Sequence, residues 1–191
     1  MELIRAFIAI ELPDPVKASI SRIQAGVRRD EHTSVKWVNP ESVHLTLKFL
    51  GNVNSELIPD VGRAMSQAAA GLGPIRLEIS KVGAFPNLRA PRVVWVGLEG
   101  DISTLRVLHG QVEDRLAELG FPPEERAFSP HLTLGRVRQG AARPERQRLA
   151  QAIYSTRLDE RAAFEAGSVS LMRSTLTRAG AIYSRILQAG L

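Results

Sequence analysis

A chain of 191 residues, 44% hydrophobic and 24% charged, is long enough to bury a core and has no compositional sign of disorder. It contains no cysteine, which excludes disulfides, thiolate catalysis and Cys-ligated metals. The formal net charge of +5, carried mostly by Arg, favours an anionic partner, and the Arg fork matches phosphate geometry.

Charges interrupt the N-terminal segment too early for a signal h-region. Nowhere does an apolar run approach about 18 residues, so a soluble, cytoplasmic protein is expected, with no membrane association. Residues 5–12 predict a buried strand stopped by Pro13. Asp14 is placed to cap a helix with Pro15 in its first turn and Val16, Ile20, Ile23 and Val27 as its apolar stripe. A strand over 35–38 ends at Asn39-Pro40, and another over 43–50 is closed by Gly51-Asn52. An Ala-rich helix over 55–70 ends at Gly71.

The second half repeats this order loosely. Strands over 75–82 and 92–98 are joined by a Pro-rich loop, 83–91. A helix capped by Asp101 or Ser103 follows, with the stripe Leu105, Leu108, Val112, Leu116 and Leu119. Pro122-Pro123 opens a loop into a strand over 131–137, then come a basic helix over 144–154 and strands over 167–173 and 181–187. Strands and helices alternate without a Gly/Ser linker, so residues 1–191 are expected to form a single bilobal unit.

The tetrapeptide His-Leu-Thr-Leu stands once in each half, at 44–47 and at 131–134. Chance would supply only about 0.02 copies of His-x-Thr-Leu in such a composition. On a strand, His and Thr at i and i+2 share a face while the Leu residues take the other. Each copy therefore offers an imidazole beside a hydroxyl. A single His-x-Thr would more often be structural; its recurrence points to catalysis.

Neither motif strand carries a further His, Asp, Glu or Cys to complete a metal site, so no metal and no cofactor are expected. Nucleophile-elbow, P-loop and dinucleotide fingerprints are missing. Two imidazoles and two hydroxyls suit metal-free displacement at phosphorus. One ring takes a proton from water, the other protonates the leaving oxygen, and the hydroxyls of Thr46 and Thr133 hold the non-bridging oxygens. A strained cyclic phosphodiester needs no stronger activation.

In these motifs the chain resembles the two-histidine phosphoesterase superfamily, and within it the RNA 2′,3′-cyclic phosphodiesterases, also called 2′-5′ RNA ligases (LigT/ThpR). The resemblance also includes residues 5–12, 35–38, 83–86 and 91–97, and the motif stretches 44–51 and 130–136. It implies an α+β fold in which two antiparallel sheets line a central cleft and helices lie outside. It further implies hydrolysis of an RNA 2′,3′-cyclic phosphate end to a 2′-phosphate, with His44 as proton donor and His131 as acceptor. Alternatives are ATP-independent 2′-5′ ligation of tRNA halves and a non-catalytic RNA-end-binding module. A monomer is expected.

Four further residues are weaker candidates for the substrate. Lys48 shares the His44–Thr46 face by strand parity. Arg136 falls on the opposite face from His131 unless its strand bulges. Arg89 and Arg92 flank the Pro-rich loop as a basic rim for an RNA backbone. Phe7 and Trp37 could stack a base but fit the core better, and His109 is expected to be solvated on its helix. His32 and His109 receive no role.

Overall fold

The computed structural model describes residues 2–29, 34–158, 162–178 and 180–191; His32 lies outside them. The first strand, β1 (Leu3–Glu11), has no polar alternation because both its faces are covered. Ala6, Ile8 and Ile10 enter the main core beneath the helices, while Phe7 and Ala9 form a second cluster with Met172 on the other face. α1 (Asp14–Arg28) buries the expected Val16, Ile20, Ile23 and Val27. It starts at Asp14 itself, so the aspartate lies in the first turn instead of capping it, and Pro13 is the flanking residue.

β2 (Val35–Trp37) leads into β3 (His44–Asn54), which continues through the predicted stop at Gly51-Asn52. Gly51 takes φ +69°, and the β1 ladder slips there, so the glycine makes a bulge instead of an end. α2 (Ile58–Ala69) and β4 (Ile75–Phe85) follow, then β5 (Val93–Gly100), α3 (Ile102–Ala117), β6 (His131–Val137) and α4 (Arg143–Ser155). β8 (Ser168–Leu176) and β9 (Ala181–Gly190) form the final hairpin, preceded by β7 (Ala163–Ala166). Periodicity does not predict β7, because four residues, two of them Ala, give neither length nor β-branched character.

The fold class is the expected α+β, with one refinement. The strands run β7-β4-β5-β6-β3-β1-β8-β9 in a single antiparallel sheet, with β2 added beside β6. The two expected sheets are its two halves, joined where Leu45 of β3 pairs Leu132 of β6. Both leucines are buried to within 1% of full, each contributing roughly 1.5–3 kcal/mol by burial.

A repeat is visible in the element order. With the short β2 and β7 set aside, β1-α1-β3-α2-β4 and β5-α3-β6-α4-β8 have the same succession of strands and helices. The last strand of each crosses to the other half: β4 pairs β5, and β8 pairs β1. No helix among the described residues is long and apolar enough to cross a membrane.

Candidate active site

The Leu45–Leu132 pair brings the motifs together at the centre of the sheet. Its antiparallel register sets His44 across from Thr133, and Thr46 across from His131. The four side chains leave the face opposite the helices, since Leu45, Leu47, Leu132 and Leu134 all enter the helix-side core.

Both imidazoles are held alike. His44 Nδ1 lies 2.9 Å from the Ser42 carbonyl oxygen, and His131 Nδ1 lies 2.7 Å from the Ser129 carbonyl oxygen. A carbonyl can only accept, so Nδ1–H donates in each case, and Nε2 has no hydrogen-bond partner among the described residues. The repeated unit therefore extends upstream to Ser-x-His-Leu-Thr-Leu, although the serines act through backbone. Rings fix the remaining freedom. Phe7 stacks on His44 at 4.7 Å, and Tyr183 meets His44 edge-on at 5.0 Å. Phe85 meets His131 edge-on at 4.9 Å and rests on Trp95, whose indole occupies the space a Cβ on Gly83 would need.

Burial pushes the His44 imidazole below its usual value, opposed by the Ser42 carbonyl and the Glu11 carboxylate. Glu11 lies opposite His44 in the β1–β3 ladder. Hydrogen bonding from Arg185 holds its carboxyl below the usual carboxylate range, against the effect of burial, with Ser170 Oγ donating to Oε1 at 2.6 Å.

Each motif is followed by a slip in pairing that strand parity could not reveal. Between Thr46 and Lys48 the β1 ladder shifts by one, so Leu47 and Lys48 both turn toward the helices. Between Thr133 and Gly135 the β5 ladder shifts likewise, and a Cβ on Gly135 would crowd Val35 and Trp37 on the core side. These bulges decide two candidates in opposite directions. Lys48 is carried off the His44–Thr46 face: it is buried, with Nζ 2.6 Å from Glu113 Oε2 and 2.9 Å from the Pro122 carbonyl oxygen. Arg136 is brought into phase with His131 and Thr133 and is exposed.

Phe49 occupies the matching place after the first motif. It is 67% exposed, with its ring 6.0 Å from that of Phe7. The ring thus stands open to solvent next to the Phe7 ring that stacks on His44, a surface of the kind on which nucleobases stack. Parity without the bulge hid it, and Glu11 and Tyr183 were hidden because cross-strand partners leave no local signal.

The other candidates divide. Phe7 is 2% exposed and serves His44 as packing, and Trp37 packs on the core beneath the Arg28 guanidinium. Arg92 is exposed, while its backbone ties the loop down through Phe85 and Val137. Arg89 is exposed in that loop, where the Asn87 side chain accepts from the Arg89 and Ala90 amides. His109 is not solvated as expected. It stacks on Phe128 at 4.0 Å with Nε2 3.7 Å from Glu113 Oε1, and burial lowers its pKa.

Two imidazoles with free Nε2 atoms, each beside a hydroxyl on adjoining strands, define a two-histidine phosphoesterase. The LigT like Phosphoesterase family model matches the chain twice in succession, over residues 10–95 and 96–183, and the protein belongs to that family. Each match contains one motif. A relative named RNA 2′,3′-cyclic phosphodiesterase from Methanothermobacter thermautotrophicus is 36% identical over 181 residues, 95% of each chain. One of the same name from Aeropyrum pernix is 35% identical, covering 82% of this chain and 88% of its own. Among solved structures, TT0787 of Thermus thermophilus superposes with a TM-score of 0.79 at 28% identity, covering 98% of this chain and 97% of its own. E. coli LigT complexed with 3′-AMP superposes at 0.80 and 23% identity, covering 100% and 99%, a likeness of fold.

Proposed function

We propose that this protein is an RNA 2′,3′-cyclic phosphodiesterase that yields a 2′-phosphate by metal-free acid–base catalysis. The observation that carries this reading is the pair of identically held His-x-Thr units; the names of the relatives support it. His131 Nε2 takes a proton from water as its oxygen attacks phosphorus. The P–O3′ bond breaks, and His44 Nε2 gives its proton to the departing O3′. Thr46 and Thr133 donate to the non-bridging oxygens, whose charge grows in the transition state. Arg136 and Phe49 hold the phosphate and the base. The catalytic unit is the whole of 1–191, because each repeat lends its last strand to the other half.

The test is hydrolysis of a 2′,3′-cyclic mononucleotide in EDTA with the product isomers resolved. Formation of the 2′-phosphate supports the reading; a requirement for added metal, or a 3′-phosphate product, overturns it. Thr46→Ala and Thr133→Ala are each expected to lower kcat about 10- to 100-fold, the worth of a bond to a charged group, with little change in stability.

The pH profile carries a further expectation. As donor, His44 must be protonated, yet burial lowers its pKa, so the free enzyme loses its active form as pH rises through a value below about 6.5. The alkaline limb of kcat/KM should therefore fall below 6.5. In kcat it should move upward, since bound phosphate stabilises the imidazolium. An alkaline limb at the same pH in both parameters would remove His44 from the acid role.

A further inference from the structure

We propose that a groove between α4 and the loop over 86–92 binds the phosphate backbone of the RNA strand leading to the reacting end; this rests on the RNA reading above. The groove is about 430 Å³ and is lined by Leu88 and Arg89 from the loop and, from α4, by Arg143, Arg146, Gln147, Ala150, Gln151 and Tyr154. Three guanidiniums line it and, among the described residues, no carboxylate does. Arg89 and Arg143 have no ion-pair partner among the described residues. Arg146 is anchored by its Nε to the Ala141 carbonyl oxygen at 3.1 Å, which holds its guanidinium ready.

Tyr154, 69% exposed, adds a stacking surface, and the two glutamines add neutral donors. Arginines with no ion-pair partner among the described residues, set in a concave wall, match phosphodiesters, and the volume suits a nucleotide but not a folded partner.

The loop links this groove to the two-histidine site. It leaves β4 at Phe85, whose ring packs on His131, and returns at Arg92, whose carbonyl accepts from Val137 N beside Arg136. Arg89, which lines the groove, therefore lies on the segment that joins it to Phe85 and Arg92. A terminal nucleotide at His131 and Arg136 would pass its upstream phosphates along this segment into the groove.

The probe is a ten-nucleotide single-stranded RNA, with binding read by fluorescence anisotropy against salt and turnover read beside that of a 2′,3′-cyclic mononucleotide. The variant is Arg143→Glu/Gln147→Glu, both at exposed positions of α4. Affinity for the oligonucleotide should fall at least tenfold at low salt, with a log–log salt slope shallower by about 0.7 for each phosphate that is no longer neutralised. Mononucleotide kcat/KM should stay unchanged. Unchanged oligonucleotide binding, or equal losses on both substrates, would overturn the proposal. Wild-type protein that binds the oligonucleotide through these residues but turns over no cyclic mononucleotide would overturn the enzymatic reading and leave the groove standing.

Discussion

Replacing either imidazole of the proposed acid–base pair is expected to produce the largest loss of activity. His44→Ala and His131→Ala should each lower kcat on a 2′,3′-cyclic mononucleotide by roughly 10²- to 10⁴-fold, the usual worth of a positioned acid or base. That is about 2.7–5.5 kcal/mol of barrier. The double variant should lose far less than the product of the two, because acid and base serve one displacement. KM should move little, since Thr46, Thr133 and Arg136 would still hold the phosphate. The two losses should differ in origin. His44→Ala also removes the ring between Phe7 and Tyr183, so a modest drop in melting temperature should accompany it. His131 has one edge contact, with Phe85, and its loss should be nearly silent in melting. Near-wild-type rates in either variant would refute the two-histidine mechanism.

Lys48→Met is expected to produce the largest loss of stability, about 3–5 kcal/mol by urea denaturation. The Lys48–Glu113 pair is almost without solvent, its side chains 4% and 11% exposed. Glu113 Oε2 also accepts from Glu124 N at 3.0 Å, and Oε1 is buried without a hydrogen bond. Removing the ammonium alone would strand that carboxylate. At this chain length the melting temperature should drop by roughly 6–20 °C. Lys48→Met/Glu113→Leu should recover most of the loss, since no stranded charge remains. By contrast, removing the exposed Arg173–Glu2 pair should cost under about 1 kcal/mol.

Activity should fall in Lys48→Met too. The pair ties the loop after α3 through Pro122 and Glu124, and that loop ends at Ser129, whose carbonyl orients His131. A melting temperature unchanged in Lys48→Met would show the pair to be dispensable.

The sequence by itself determined the elements and the two motifs. Local periodicity placed all four α-helices and eight of the nine strands of the described residues to within a few positions, because apolar stripes such as Leu105, Leu108, Val112 and Leu116 must face a core. It also put His and Thr of each motif on one face, because side-chain alternation holds over three residues of any strand.

Only the tertiary structure decided what lies past the motifs and around them. Alternation fails at a bulge; nothing in Leu47-Lys48 announces one, and Gly135, a general sign of a bulge inside a strand, does not say which way Arg136 will turn. The register against β1 and β5 does so, turning Lys48 to the helices and Arg136 and Phe49 to the face that carries His44 and His131. Glu11, Phe85 and Tyr183 join the site through strands distant in sequence, and cross-strand partnership leaves no trace in local composition. His109 reads as solvated in the sequence because it lies outside the apolar stripe of α3; the stacking partner, Phe128, comes from a separate loop. A residue's chemistry and its phase within a short strand are local properties. Register between strands is set by which faces can be buried together, and that is settled only when the whole sheet has closed.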